Sequence, residues 1–147
     1  MKLFGILSIV ALMLVGIVAC AQQEAETEAV TDGMFIHISH GYDNPHRVLM
    51  ALRMAELVSV DHDVLVYFDI TGVEVVLKDA EDMAYAEFPN LKAQLAKLSA
   101  SDVTLMACPG CLQAAGKTPE DLAEGIQVAD KEMFFGFTKG RILTLDY

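Results

Sequence analysis

Apolar and polar positions along the chain follow two rhythms that alternate. "MFIHI" (34–38), "VLVYF" (64–68) and "DVTLMA" (102–107) are short runs rich in branched and aromatic residues, and they predict strands. The second run is apolar throughout, which suits a strand buried on both faces. Between the strands the period lengthens. In "HRVLMALRMAELVSV" (46–60), Val48, Ala51, Leu52, Ala55 and Val58 make one helical stripe. Asn44 stands where a helix is capped and Pro45 at its first position. "PNLKAQLAKLSA" (89–100) sets Leu91, Leu95 and Leu98 on one side of a second helix. "CPGCLQAAG" (108–116) begins another, "TPEDLAEG" (118–125) predicts a short helix capped by Thr118, and "ADKEMFFGF" (129–137) predicts a last one. "RILTLDY" (141–147) closes the chain as a strand. Residues 71–87 stay ambiguous: "GVEVVL" suits a short helix or a strand, and "KDAEDMAYAEF" has no clean period. Strands alternating with helices predict an α/β fold with a mainly parallel sheet and helices on both faces. Ligands of such sheets bind beyond the carboxyl ends of the strands. "SHGYDNPH" and "CPGC" are expected on that rim.

The first twenty residues, "MKLFGILSIVALMLVGIVAC", fit neither rhythm. A lysine followed by an unbroken apolar run that closes on small residues is the pattern of a secretory signal, and it inflates the 54% hydrophobic content. Ile17-Val18-Ala19-Cys20 resembles the lipobox of bacterial lipoproteins, which implies cleavage after residue 19 and acylation of the Cys20 thiol. An uncleaved membrane helix is the alternative, at the short limit for a span. Residues 20–32 carry three glutamates and an aspartate with almost nothing to bury, the composition of a flexible tether. The domain then spans 33–147. Its 147-residue parent has a formal charge of −11, made one unit more negative by loss of Lys2. So acidic a surface excludes nucleic acid as a partner. The expected location is outside the cytoplasm, lipid-anchored and facing the periplasm or the cell surface, where disulfides persist.

Chemistry concentrates in "LMACPGC" (105–111), which holds the two cysteines outside the leader. Cys108 ends a strand and opens a helix, where free amides favour a thiolate and lower its pKa. Pro109 suits a first helical position, and Gly110 admits close approach of backbone. Cys111 lies one turn on, within reach of a disulfide. Two thiols alone make an incomplete metal site, and a packing role for both is the bland alternative.

From about Gly33 to Tyr147 the chain resembles the DsrE/DsrF-like family of sulfur-relay proteins. The stretches that carry the resemblance are "HGYDNPHRVLMALRMAELV", "DHDVLVYFDITGVEVVL" and "LMACPGCLQAAG". It implies a flavodoxin-like three-layer α/β sandwich, trimers or hexamers, and sulfur carried as a cysteine persulfide. Cys108 takes the place of the sulfur-bearing residue, and Cys111 that of a second, resolving thiol found in a subset of members. Sulfur donor and acceptor partners are implied by the same likeness.

Among the histidines, His37 falls inside a strand and is expected to be a satisfied core residue. His40 and His46 bracket the rim loop. If the first and third strands are neighbours, His40 approaches Cys108 as base or thiolate partner. With His46 it would instead complete a Cys2His2 zinc set or a copper site, although Asn44-Pro45 is committed to capping and no His-x-His spacing lies near the thiols. His62 is expected in solvent, as are the acidic clusters around Asp79 and Glu120. No cofactor-binding motif, phosphate loop or Ser-His-Asp pattern occurs. Three functions remain open on the sequence: a sulfane-sulfur carrier, a thiol–disulfide oxidoreductase, and a metal-binding or structural lipoprotein with an inert CxxC.

Overall fold

Five strands form and all run parallel: β1 (Gly33–Ile38), β2 (Asp63–Phe68), β3 (Thr104–Ala107), β4 (Ile126–Val128) and β5 (Ile142–Asp146), in the order β4-β3-β2-β1-β5. They come from a computed structural model that describes residues 30–147. The expected signal segment, the expected lipidation site at Cys20 and most of the expected tether lie outside the described residues. Among the described residues four α-helices join the strands: α1 (Pro45–Val58), α2 (Leu91–Ser99), α3 (Pro109–Ala114) and α4 (Lys131–Gly136). The α/β class and the parallel sheet are as expected. The chain lays its first four strands outward in one direction, then returns to set β5 beside β1, so the reversal of strand order lies between those two.

Parallel partners share a face of the sheet. One face carries Ile36, Ile38, Val66 and Phe68, all fully buried, and α1 and α2 close over it with Val48, Leu52, Ala55, Leu91 and Leu98. Each such side chain taken wholly from water is worth roughly 1.5–3 kcal/mol. The helical stripe read from the sequence is therefore the face that makes the core. Asn44 caps α1 as expected, its side chain accepting from the Arg47 N–H at 3.3 Å, with Pro45 at the first position. The opposite face, with Phe35, His37 and Tyr67, is covered more thinly. Phe134 of α4 stands edge-on to Phe35 at 5.2 Å and to Tyr67 at 5.3 Å between ring centres.

Two segments take shorter or more irregular forms than their sequence suggests. "TPEDLAEG" forms the expected short helix, but only as a single 3-10 turn, Pro119–Asp121, capped where the Thr118 N–H and hydroxyl donate to the Asp121 carboxylate at 2.8 and 3.1 Å. Leu122 then turns extended, and Gly125 adopts a left-handed φ of 82° with Ser99 too close to admit a side chain. That ends the turn and releases the chain into β4, a strand absent from the sequence reading. The ambiguous stretch becomes a 3-10 helix, Ile70–Val76, followed by irregular backbone pinned where Leu77 bridges Leu122.

Candidate functional site

The site builds outward from the end of β3. The Cys108 N–H donates to the Phe68 carbonyl at 2.8 Å, so the residue is still held by the β2–β3 ladder while its side chain caps α3. Its sulfur accepts from the Cys111 N–H at 3.4 Å. Both thiols are free and half-buried. The Cys111 sulfur accepts in turn from the Ile70 N–H at 3.1 Å. Ile70 has a φ of 46°, a left-handed conformation that costs a β-branched residue energy and here aims an amide at sulfur.

Tyr67 and Cys108 are near enough to shift each other's pKa. Burial pushes the Cys108 thiol up, but hydrogen bonds from Tyr67, from the Cys111 thiol and from the amides of Cys111 and Gly110 outweigh it, and its pKa falls below the ordinary value. For Cys111, burial and the adjacent Cys108 push the pKa up, with the Ile70 amide opposing and Asp69 adding to the rise. Tyr67 is raised as well, by burial and by Cys108. Neighbouring groups driven apart in pKa are the usual basis for distinct roles, and here the Cys108 thiol is made the more acidic and the Cys111 thiol the less acidic of the pair.

Beside Tyr67 in the β1–β2 register stands His37, the ring centres 6.1 Å apart. His37 is half-buried rather than core. Its Nε2 lies 2.8 Å from Asp69 and its Nδ1 2.8 Å from Asp146 at the end of β5. Burial opposes a charge on the ring, yet hydrogen bonds to Asp146 and Asp69 and the charge of both carboxylates prevail and raise its pKa.

The first and third strands are not neighbours, because β2 lies between them. The condition that would bring His40 to Cys108 is therefore not met. His40 pairs instead with Asp43 at 2.6 Å. That contact and the Gly41 N–H hold the Asp43 carboxyl down at about 2. His46 stacks on Tyr85 at 4.7 Å, and His62 pairs with Asp61 at 2.6 Å. Among the described residues no group of three or more His, Cys, Asp or Glu is placed to hold a metal ion. Nor, among them, is any helix long and apolar enough to cross a membrane. Sequence reasoning did not single out Tyr67 and Asp69. The available signal was their position: both are polar groups at the carboxyl end of an otherwise apolar parallel strand, the rim where ligands meet such sheets.

A sequence profile of the DsrE/DsrF-like family matches residues 32–138. No curated protein sequence matches the chain. Two solved structures share the fold at 18% identity, each covering 78% of this chain and 99% of its own: the ychN protein from E. coli (TM-score 0.57) and MTH1491 from Methanobacterium thermoautotrophicum, a protein of unknown function (TM-score 0.54).

Proposed function

This chain belongs to the DsrE/DsrF-like family, and from that premise we propose that it carries sulfane sulfur as a persulfide on Cys108, with Cys111 as the resolving thiol. The observation that supports the reading best is the opposed tuning of the pair, Cys108 lowered and Cys111 raised, by groups that reach the two sulfurs separately. The Cys108 thiolate attacks the outer sulfur of a persulfide or polysulfide donor. The donor's S–S bond breaks, and its remaining sulfur leaves as a thiolate with the electron pair. Cys108 then bears the transferred sulfur, and an acceptor thiolate can take it by attacking the outer atom. The Tyr67 hydroxyl is placed to stabilise the charge on Cys108 before and after transfer.

The rest of the reading comes from the sequence. Ile17–Cys20 supports export and a lipid anchor in a bacterial membrane, with the domain facing the periplasm or cell surface and meeting its sulfur donor and acceptor there. Copies of the chain would assemble as trimers or hexamers, as the family resemblance implies. Closeness of the two thiols favours a second reading, a dithiol–disulfide cycle, which an oxidising compartment would also promote. Transfer of sulfane sulfur from polysulfide to a small thiol separates the two. A carrier loses transfer in Cys108→Ser and keeps it in Cys111→Ser, whereas a disulfide cycle fails in both.

A further inference from the structure

We infer that the backbone N–H of Ile70 stabilises negative charge on the Cys111 sulfur and so makes Cys111 competent as the resolving nucleophile, a role that rests on the carrier reading. The contact is direct: the N–H donates to the Cys111 Sγ at 3.1 Å. The peptide unit that carries it, Asp69 to Ile70, is fixed from both sides. Before it, the Asp69 N–H donates to the Ile38 carbonyl at 3.1 Å. Its own carbonyl accepts from the Gly72 N–H at 2.7 Å, so one peptide unit points its donor at sulfur and anchors its acceptor in the turn.

The conformation that achieves this is costly. With its N–H turned to sulfur, the chain leaves β2 for the 3-10 helix through a φ of 46° at Ile70. That region disfavours a branched side chain, and the Ile70 side chain is mostly exposed, so burial gives little in return. Strain without packing to explain it points to a task for the backbone.

The task follows from the acceptor. A thiol accepts a hydrogen bond weakly and a charged sulfur accepts it strongly, so the bond favours the thiolate. Cys111 has little other help. Burial and Cys108 oppose its charge, Asp69 adds to that opposition, and the residue's own N–H is spent on the Cys108 sulfur at 3.4 Å. Cys108 and Asp69 are the titratable groups that bear on it.

The step served is resolution. The Cys111 thiol gives its proton to solvent, and its thiolate attacks the Cys108 Sγ of the persulfide in its protonated form. The bond from Sγ to the outer sulfur breaks, and that sulfur leaves with the electron pair as hydrosulfide. A Cys108–Cys111 disulfide remains: the sulfane sulfur is reduced and the two cysteines are oxidised. The Ile70 N–H acts on this step in two opposed ways. It enlarges the thiolate share, tenfold for each unit by which it lowers the pKa, and it blunts the nucleophile by roughly threefold per unit. Below the Cys111 pKa the first effect wins.

The test reads Cys111 alone, in full chain carrying Cys108→Ser. Putting the α-hydroxy acid analogue of isoleucine at position 70 turns the N–H into an ester oxygen and keeps the side chain. The pH profile of Cys111 alkylation should then shift up by about one unit. The same exchange at Gly72 loosens the turn but keeps the Ile70 N–H, and should leave the profile in place. With Cys108 restored and loaded from polysulfide, the Ile70 ester should release hydrosulfide about threefold more slowly below the Cys111 pKa and about threefold faster above it. A profile that stays put in the Ile70 ester, or moves equally in both esters, overturns the inference. Should the Ile70 ester fail to fold, the Ile70 amide proton resonance answers without it. In Cys108→Ser it should move downfield with the midpoint of Cys111 alkylation, and a resonance indifferent to that midpoint is the contrary result. If the unaltered protein takes up no sulfur, the carrier reading fails, while the profiles and the resonance still decide whether Ile70 governs Cys111.

Discussion

Ile70 shows how the site costs stability at single residues. Its side chain is 63% exposed, so little burial offsets its left-handed backbone. That conformation costs an L-residue about 1–2 kcal/mol, and a glycine there loses roughly 0.5–1 kcal/mol to unfolded-state freedom. Ile70→Gly should therefore stabilise the domain by about 0.5–1 kcal/mol, seen as a higher midpoint in denaturant. A fall in stability would mean that the residue is unstrained. His37 gives a pH prediction of definite sign. Its folded pKa is raised, so the contribution of its two ion pairs is complete below the ordinary histidine value and disappears as pH rises through the folded value. The protein should therefore lose stability as pH rises above the ordinary histidine value, and His37→Gln should flatten that slope. Asp43 acts at the other end: its stabilisation is present above the ordinary carboxylate value and is lost as pH falls to about 2. The thiol pair was legible in the sequence because the strand-end CxxC is a local pattern. His37, Tyr67 and Asp69 were not, because their significance comes from a register between β1 and β2 that no local spacing encodes.

At the scale of elements, what was legible was what local physics decides. The cap at Asn44 and Pro45, the stripe on α1 and the leucines of α2 needed no knowledge of distant residues. β4 did need it, since three residues with one buried carry no period and pair only because β3 offers an edge. The 3-10 helix Ile70–Val76 is one of the two alternatives its own pattern left open, and close contact with β1 accompanies the choice. Gly72 shows this best. A Cβ there would fall 2.3 Å from the Ile38 carbonyl oxygen, a backbone atom that cannot turn aside. Gly72→Ala should destabilise the domain by about 1–3 kcal/mol and, by shifting Asp69 and Ile70, change the alkylation rate of Cys111. Normal stability with an unchanged rate would show that this segment does not position the thiol.

For the molecule as a whole, alternating periods sufficed to predict an α/β fold and a rim bearing both the Cys-Pro-Gly-Cys turn and the loop after β1. Strand order was beyond them, and with it the placing of His40, because order is chosen by the packing of all the layers together. The sheet ends in β4 on one side and β5 on the other. β5 leaves Ile142 and Leu143 about half exposed, at 47% and 54%, on an edge whose outer hydrogen-bonding groups face away from the sheet. Such an edge ordinarily needs cover, in keeping with a protein that acts alongside further copies or partners. What the molecule does depends on whether Cys108 takes up sulfur. The most direct measurement is the intact mass of the purified full chain before and after exposure to polysulfide, alongside Cys108→Ser. A carrier should gain whole sulfur atoms that a thiol reductant removes and that the variant lacks. No gain, or a gain that persists without Cys108, would contradict sulfur carriage on this residue.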